Sequence, residues 1–106
     1  MILFKQEHVE PILMDLKIQT RRLGKLRWKV GSVRQAKTGY RKDMEFARLV
    51  ITGIRQERLG DISPEDAIKE GYPTISAYIE AFIRIYGSWD PDRQVWVVDF
   101  ERVKEG

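Results

Sequence analysis

The most specific chemistry in this chain lies in Lys17-Ile18-Gln19-Thr20-Arg21-Arg22, where a lysine and a threonine stand three residues apart. A threonine hydroxyl attacks a carbonyl only when a neighbour takes its proton. A lysine does so once burial or nearby like charge has lowered its pKa, and Arg21 and Arg22 supply such charge. Arg22 or a backbone N–H would then hold the oxyanion of the tetrahedral intermediate. A plainer assignment fits the same residues: Lys17 in an ordinary ion pair and Thr20 as a strand residue with a capping hydroxyl. Other chemistries are excluded by composition. The chain has no cysteine and one histidine, His8, so thiol catalysis, disulfides, Cys-ligated zinc and His-rich metal sites fall away. Walker A and dinucleotide-binding glycine patterns are absent. We expect no metal and no cofactor.

Lys17 also opens a run of like charge. Between Leu16 and Lys42 there are ten basic residues and no acidic one. The net charge of +3 therefore conceals an asymmetry, about +8 through Arg58 and −5 from Leu59 onward. Some of these lysines belong to any solvated surface. As a set, they repel one another unless an anion approaches. Trp28 and Tyr40 are interleaved with Arg21, Arg22, Lys25, Arg27, Lys29, Lys37 and Arg41, a mixture suited to single-stranded RNA or a nucleotide, although Trp28 fits a core position equally well. An RNA or nucleotide-like partner is thus expected, with no signature of the RRM or KH kind.

The elements that must position these residues are short. Ile2-Leu3-Phe4 reads as an opening strand. Val9, Ile12, Leu13 and Leu16 form one helical stripe, with Pro11 confined to the first turn of a helix over about 8–15. Val30-Gly31-Ser32-Val33 turns into a strand over 33–37, and residues 38–43 form a polar loop. Alternation over 46–55 predicts a strand bent at Gly53. Ser63-Pro64-Glu65-Asp66 caps a short helix stopped by Gly71. Thr74 or Ser76 opens a second helix, in which Ile75, Tyr78, Ile79, Phe82 and Tyr86 repeat until Gly87. Val95 to Val103 closes the chain as a strand with Trp96, Val98 and Phe100 on one face.

At 106 residues, 42% hydrophobic and 33% charged, this is the material of one domain over 1–106. Helices segregate from strands, giving an α+β class with enough strands to curl into a small barrel or half-barrel. No apolar run approaches the ~20 residues of a membrane helix. The first residues lack the apolar core of a signal peptide, so a cytoplasmic, non-membrane protein is expected.

The Lys17 to Arg22 stretch resembles the Lys-x-x-Thr-x-Arg signature of the activating-signal-cointegrator homology (ASCH) family, whose fold is similar to the PUA barrel of RNA-modifying enzymes. Val30-Gly31-Ser32-Val33 is similar to the family's Val-Gly-Asp turn. Ala67-Ile68-Lys69-Glu70 resembles its acidic helix, and Tyr86 and the strand Val95 to Glu101 fall in matching places. The resemblance implies a PUA-like mixed β-barrel flanked by two or three helices, with Lys17, Thr20, Arg22 and Glu70 lining a cleft for RNA or a nucleotide. In some bacterial members the positions matching Lys17, Thr20 and Glu70 act as a triad that deacetylates acetylated cytidine nucleosides, with the glutamate suited to protonating the leaving nitrogen. Another branch is described as ribonucleases. This chain departs from the pattern at Asp15, where glycine is usual, at Ile18, where threonine follows the lysine, and at Ser32, which replaces the acid of the turn.

Overall fold

A computed structural model describes residues 1–104. Five strands, β1 (Ile2–Leu3), β2 (Gln19–Arg22), β3 (Val33–Lys37), β4 (Glu45–Arg58) and β5 (Gln94–Arg102), form one sheet in the order β1-β3-β4-β5-β2. The β1–β3 pairing is parallel and the others are antiparallel. Three helices, α1 (Val9–Leu13), α2 (Pro64–Lys69) and α3 (Ile75–Tyr86), complete the domain, with 3-10 turns at Gln6–His8, Lys42–Met44 and Leu59–Asp61.

The sheet curls into a half-barrel because β4 is long enough to serve two partners. Its first half pairs with β3 and most of its length with β5, and the β5 register shifts between Ile51 and Gly53. Such a bulge bends a strand and raises its local twist. A side chain at Gly53 would start 3.3 Å from Asp99 Oδ2, so the bend falls where glycine permits close approach. Curling leaves β1 and β2 as the two free edges of the sheet.

Two apolar cores lie on opposite faces. Ile2, Phe4, Ile12, Ala36, Leu49, Ile51, Val98 and Phe100 fill one, with Trp28 and Trp96 packed against it. Leu59, Ile62, Ala67, Tyr78, Phe82, Val95 and Val97 fill the other, beneath α2 and α3. Strand β5 therefore alternates Trp96, Val98 and Phe100 toward the first core with Val95 and Val97 toward the second, the period of two expected of a strand covered on both faces.

The helix ends follow their sequence signals. Ser63 Oγ accepts from Asp66 N at 3.1 Å, Pro64 starts α2, and Thr74 Oγ1 accepts from Ala77 N at 3.0 Å at the start of α3. Gly87 ends α3 at φ 91°. The first helical segment differs from expectation: a 3-10 turn precedes a single α-helical stretch, and the chain leaves it through Asp15 at φ 59°. Asp is among the few residues that visit the left-handed region, and here its carboxylate is gripped by Arg102 at 3.1 Å and Lys104 at 3.4 Å.

Strand β2 has no counterpart among the elements the sequence predicts. Its residues are Gln-Thr-Arg-Arg, and all but the last are buried. A strand with a polar inward face shows no apolar alternation, so its period is invisible to hydropathy. That polar face belongs to the site described next.

Candidate functional site

Backbone contacts fix Lys17 before its side chain is considered. Its N–H donates to Pro11 O at 3.1 Å, and the next N–H, Ile18, donates to Lys69 O at 2.8 Å at the end of α2. Phe100 N donates in turn to Ile18 O at 3.0 Å. The chain thus threads between α1, α2 and β5. Gly71, at φ 98°, follows Glu70 with its Cα so close that an added Cβ would lie 3.4 Å from Lys17 Cβ. This approach brings together residues 53 apart in sequence.

The Lys17 ammonium is 2% exposed and spends all three N–H donors: on Glu70 Oε1 at 2.8 Å, Glu70 O at 2.8 Å and Gln19 O at 2.9 Å. Burial pulls its pKa below the ordinary lysine value, and the Glu70 carboxylate opposes that fall. Glu70 Oε2 accepts from Arg21 at 2.9 Å, so each carboxylate oxygen holds one cation.

Arg21 anchors a wider network. Its guanidinium also reaches Glu57 at 3.0 Å and Asp66 at 3.1 Å. Asp66 binds Arg55 at 2.7 Å, and Gln19, fully buried, donates to Asp99 at 2.8 Å and Asp66 at 3.3 Å. Burial alone would pull Arg21 down; Glu70 and Glu57 more than offset it and hold the arginine above its ordinary value. Burial likewise works against the Asp66 carboxylate, but Gln19, Arg21 and Arg55 bring it below its usual range. Among the described residues no group of three or more His, Cys, Asp or Glu side chains is arranged to hold a metal ion. The carboxylates Glu57, Asp66 and Glu70 converge on Arg21 instead.

Lys17, Thr20, Arg21, Arg22 and Glu70 all line one cavity of about 520 Å³. It opens between the two free sheet edges, with Leu3 and Phe4 on the β1 side, Thr20 to Arg22 on β2, and α3 supplying Tyr78, Ala81, Phe82, Ile85 and Tyr86. Gln6, His8, Tyr72 and Thr38 complete the wall, with exposed Lys5 at the mouth. Thr20 Oγ1 accepts from Arg22 Nε at 3.0 Å, and the Arg22 guanidinium carbon stands 5.0 Å from the Phe4 ring centroid. Burial lowers Arg22 from its ordinary value; Tyr86 and Glu70 only partly oppose this.

The remaining predicted binding residues are dispersed. Lys25, Arg27 and Lys29 are exposed in the connection between β2 and β3, outside the cavity lining. Trp28 packs on the first core. Lys37 turns inward and donates to Tyr40 O at 3.2 Å. Tyr40 is 78% exposed, and Arg41 pairs with Asp43 at 2.6 Å. The residues that the sequence does not single out are His8 and the aromatic wall other than Tyr86, which the family resemblance names. Tyr78, Phe82 and Tyr86 read there as a helical core stripe, and the signal that marks them is their spacing of four with every member aromatic.

His8 Nε2 lies 2.8 Å from Tyr72 Oη, and Tyr72 Oη lies 3.5 Å from Glu7, which Arg84 grips at 2.9 Å. Burial, followed by Lys17, Arg22 and Arg84, lowers His8 from 6.5 to about 3. The folded protein therefore keeps His8 neutral where an unfolded histidine takes up a proton. Its contribution is fully present above pH ~6.5 and is lost as pH falls toward about 3. Urea unfolding across this window should show wild type losing stability more steeply than His8→Gln, which shares every carboxylate titration.

No protein-family model and no curated protein matches the sequence. Solved structures do match in fold. The ASCH domain of Lactobacillus crispatus superposes with a TM-score of 0.73 at 16% identity, over 89% of this chain and 69% of that one. A hypothetical protein designated PH0355 gives 0.68 at 17% identity, with 96% of both chains covered. A variant of the ASCH protein of Zymomonas mobilis gives 0.66 at 9% identity, over 97% of this chain and 69% of that one. The chain shares the fold of these ASCH structures: a curled five-stranded half-barrel with a few helices.

Proposed function

We propose that this ASCH-fold domain binds a nucleotide-like ligand, free or as part of an RNA, in the cavity between β1, β2 and α3. One observation carries the reading: Lys17, Thr20, Arg22 and Glu70 converge in a single cavity whose other wall is aromatic. At about 520 Å³ it matches the ~300–1,000 Å³ of small-ligand sites and admits one nucleotide rather than a duplex. Tyr86, half exposed at the end of α3, offers a π-face to a base, while Thr20, Arg22 and Tyr72 offer polar groups to its edge or sugar. The exposed cations Lys25, Arg27 and Lys29 provide a positive approach for a polyanion.

Tyr86 tests this without disturbing the core, because it is 48% exposed and ends α3. Base stacking contributes about 1–3 kcal/mol per base. Tyr86→Ala should therefore weaken a bound nucleoside or nucleotide roughly fivefold to 150-fold by calorimetry, with an unchanged melting temperature. Equal affinity in wild type and variant, or no binding by any of the four common nucleosides and their monophosphates, would remove the reading.

A second reading, hydrolysis of an acylated nucleoside, is favoured by the 2.8 Å Lys17–Glu70 contact in the cavity that Thr20 also lines. Thr20 Oγ1 accepts from Arg22, which leaves its own O–H to donate. To receive that proton Lys17 must first lose one, and its burial pushes in that direction. The hydroxyl oxygen would then bond to the acyl carbon as the amide C–N bond breaks, and the leaving nitrogen would take the proton. Water would release acetate from the threonine ester. Thr20→Val is expected to lose about a hundredfold or more of acetate release from acetylated cytidine with its fold intact. Turnover that survives in Thr20→Val would reject threonine as nucleophile.

A further inference from the structure

The cavity holds four cations and one carboxylate, and the cations are not equivalent. Lys17 and Arg21 are committed to Glu70, and Arg21 also to Glu57 and Asp66. Arg22 is not. Its Nε meets Thr20, and its two terminal nitrogens have no hydrogen-bond acceptor among the described residues. Lys5, next to Phe4 at the mouth, likewise has no carboxylate within reach among them. Lys25, Arg27 and Lys29, which also lack a carboxylate partner among the described residues, lie exposed and outside the cavity. Arg55, Arg58, Arg84, Arg102 and Lys104, by contrast, each have an acid within 4.0 Å.

Among the described residues no carboxylate pairs with Arg22, and Tyr86 and Glu70 favour its charge only from a distance. The Glu70 oxygens are both taken, and the Tyr78 and Tyr72 hydroxyls are held neutral by burial, which raises Tyr72 to about 12. His8 is neutral as well and contributes no competing positive charge. Arg22 is half-buried in the cavity wall and keeps unused donors there, so an anion entering the cavity would gain charge-assisted hydrogen bonds without displacing a protein partner. The planar guanidinium fork also suits phosphate oxygens.

From this we infer that Arg22, with Lys5 at the mouth, forms an anion subsite that takes the phosphate monoester of a nucleotide whose base lies on the aromatic wall. The inference rests on the nucleotide reading above and narrows it: the ligand is a nucleotide or a phosphorylated strand end, not an uncharged nucleoside. The same chemistry is carried by a free nucleoside 5′-monophosphate and by the 5′-phosphate of an RNA.

Calorimetry with the four nucleosides, their 5′-monophosphates, and short oligoribonucleotides bearing either a 5′-phosphate or a 5′-hydroxyl tests it. Hydrogen bonds to charged groups contribute about 1.5–3 kcal/mol, so the phosphate should tighten binding roughly 10-fold to 150-fold over the matched unphosphorylated ligand. A gain with the mononucleotide or with the phosphorylated strand supports the subsite and identifies its source. In Arg22→Gln the ratio of phosphorylated to unphosphorylated affinity should fall toward one. In Lys5→Gln, a change at an exposed site that leaves the fold intact, the ratio should fall several-fold. Nucleosides that bind as tightly as their monophosphates would overturn the subsite while leaving the nucleotide cavity standing. A phosphate gain that persists in both variants would overturn it too. Binding by none of these ligands would overturn both.

Discussion

Arg21→Met is expected to lower the free energy of unfolding by about 3–5 kcal/mol, because it strips one counter-ion from three carboxylates at once. Arg21 has a fully buried side chain and touches Glu57, Asp66 and Glu70 within 3.1 Å. Methionine replaces its volume but not its charge. Glu70 retains Lys17 and Asp66 retains Arg55, whereas Glu57 keeps only a 3.5 Å contact with Arg55. Since domains of this size have only ~5–15 kcal/mol in total, the variant should be marginal. Arg21→Lys supplies the comparison: it restores one charge without the fork that spans three partners, and should recover part of the loss. Urea midpoints read both. A midpoint for Arg21→Met within experimental error of wild type would show that the network carries no stability.

The second large effect is expected at Lys17. Lys17→Met should also cost about 3–5 kcal/mol, since it leaves the Glu70 carboxylate buried with Arg21 alone and the carbonyls of Gln19 and Glu70 without their donor. Glu70→Leu should cost a comparable amount by stranding the Lys17 ammonium. The double variant removes both charges, so its loss should be smaller than the sum of the two, with a coupling of about 0.5–3 kcal/mol. Arg21 survives in the double variant because Glu57 and Asp66 still neutralise it. Strict additivity in the urea-derived free energies would mean that Lys17 and Glu70 do not act as a pair.

How far these residues were legible in the sequence varies with the physics that places them. Helices α2 and α3 announce themselves, because caps and stops are local: Ser63, Pro64, Thr74 and Gly87 each act within one turn. The bend at Gly53 was legible for the same reason. Strand β2 was not, because its inward face is Gln19 and Arg21, which bond to one another and to four carboxylates instead of an apolar core. The spacing of Lys17, Thr20 and Arg22 stood in plain view, but Glu70 could be set beside them only through the family resemblance. Its position depends on the close approach at Gly71 and on the backbone bridge from Ile18 to Lys69. The basic run shows the opposite difficulty. Contiguity in sequence places Lys25, Arg27 and Lys29 on an exposed connection while Lys37 turns inward and Arg21 is spent on carboxylates. Among the described residues, only Arg22 of that run is both in the cavity and without a carboxylate partner.

The most direct test of the cavity as the binding site is a 1H–15N correlation spectrum of the labelled protein, titrated with the nucleoside 5′-monophosphate that calorimetry ranks first. The cavity account predicts saturable shifts that cluster on Phe4, His8, Thr20, Arg22, Tyr72 and Tyr86 and fit a single site. Shifts confined to the basic connection at 23–32, or none at millimolar ligand, would contradict it.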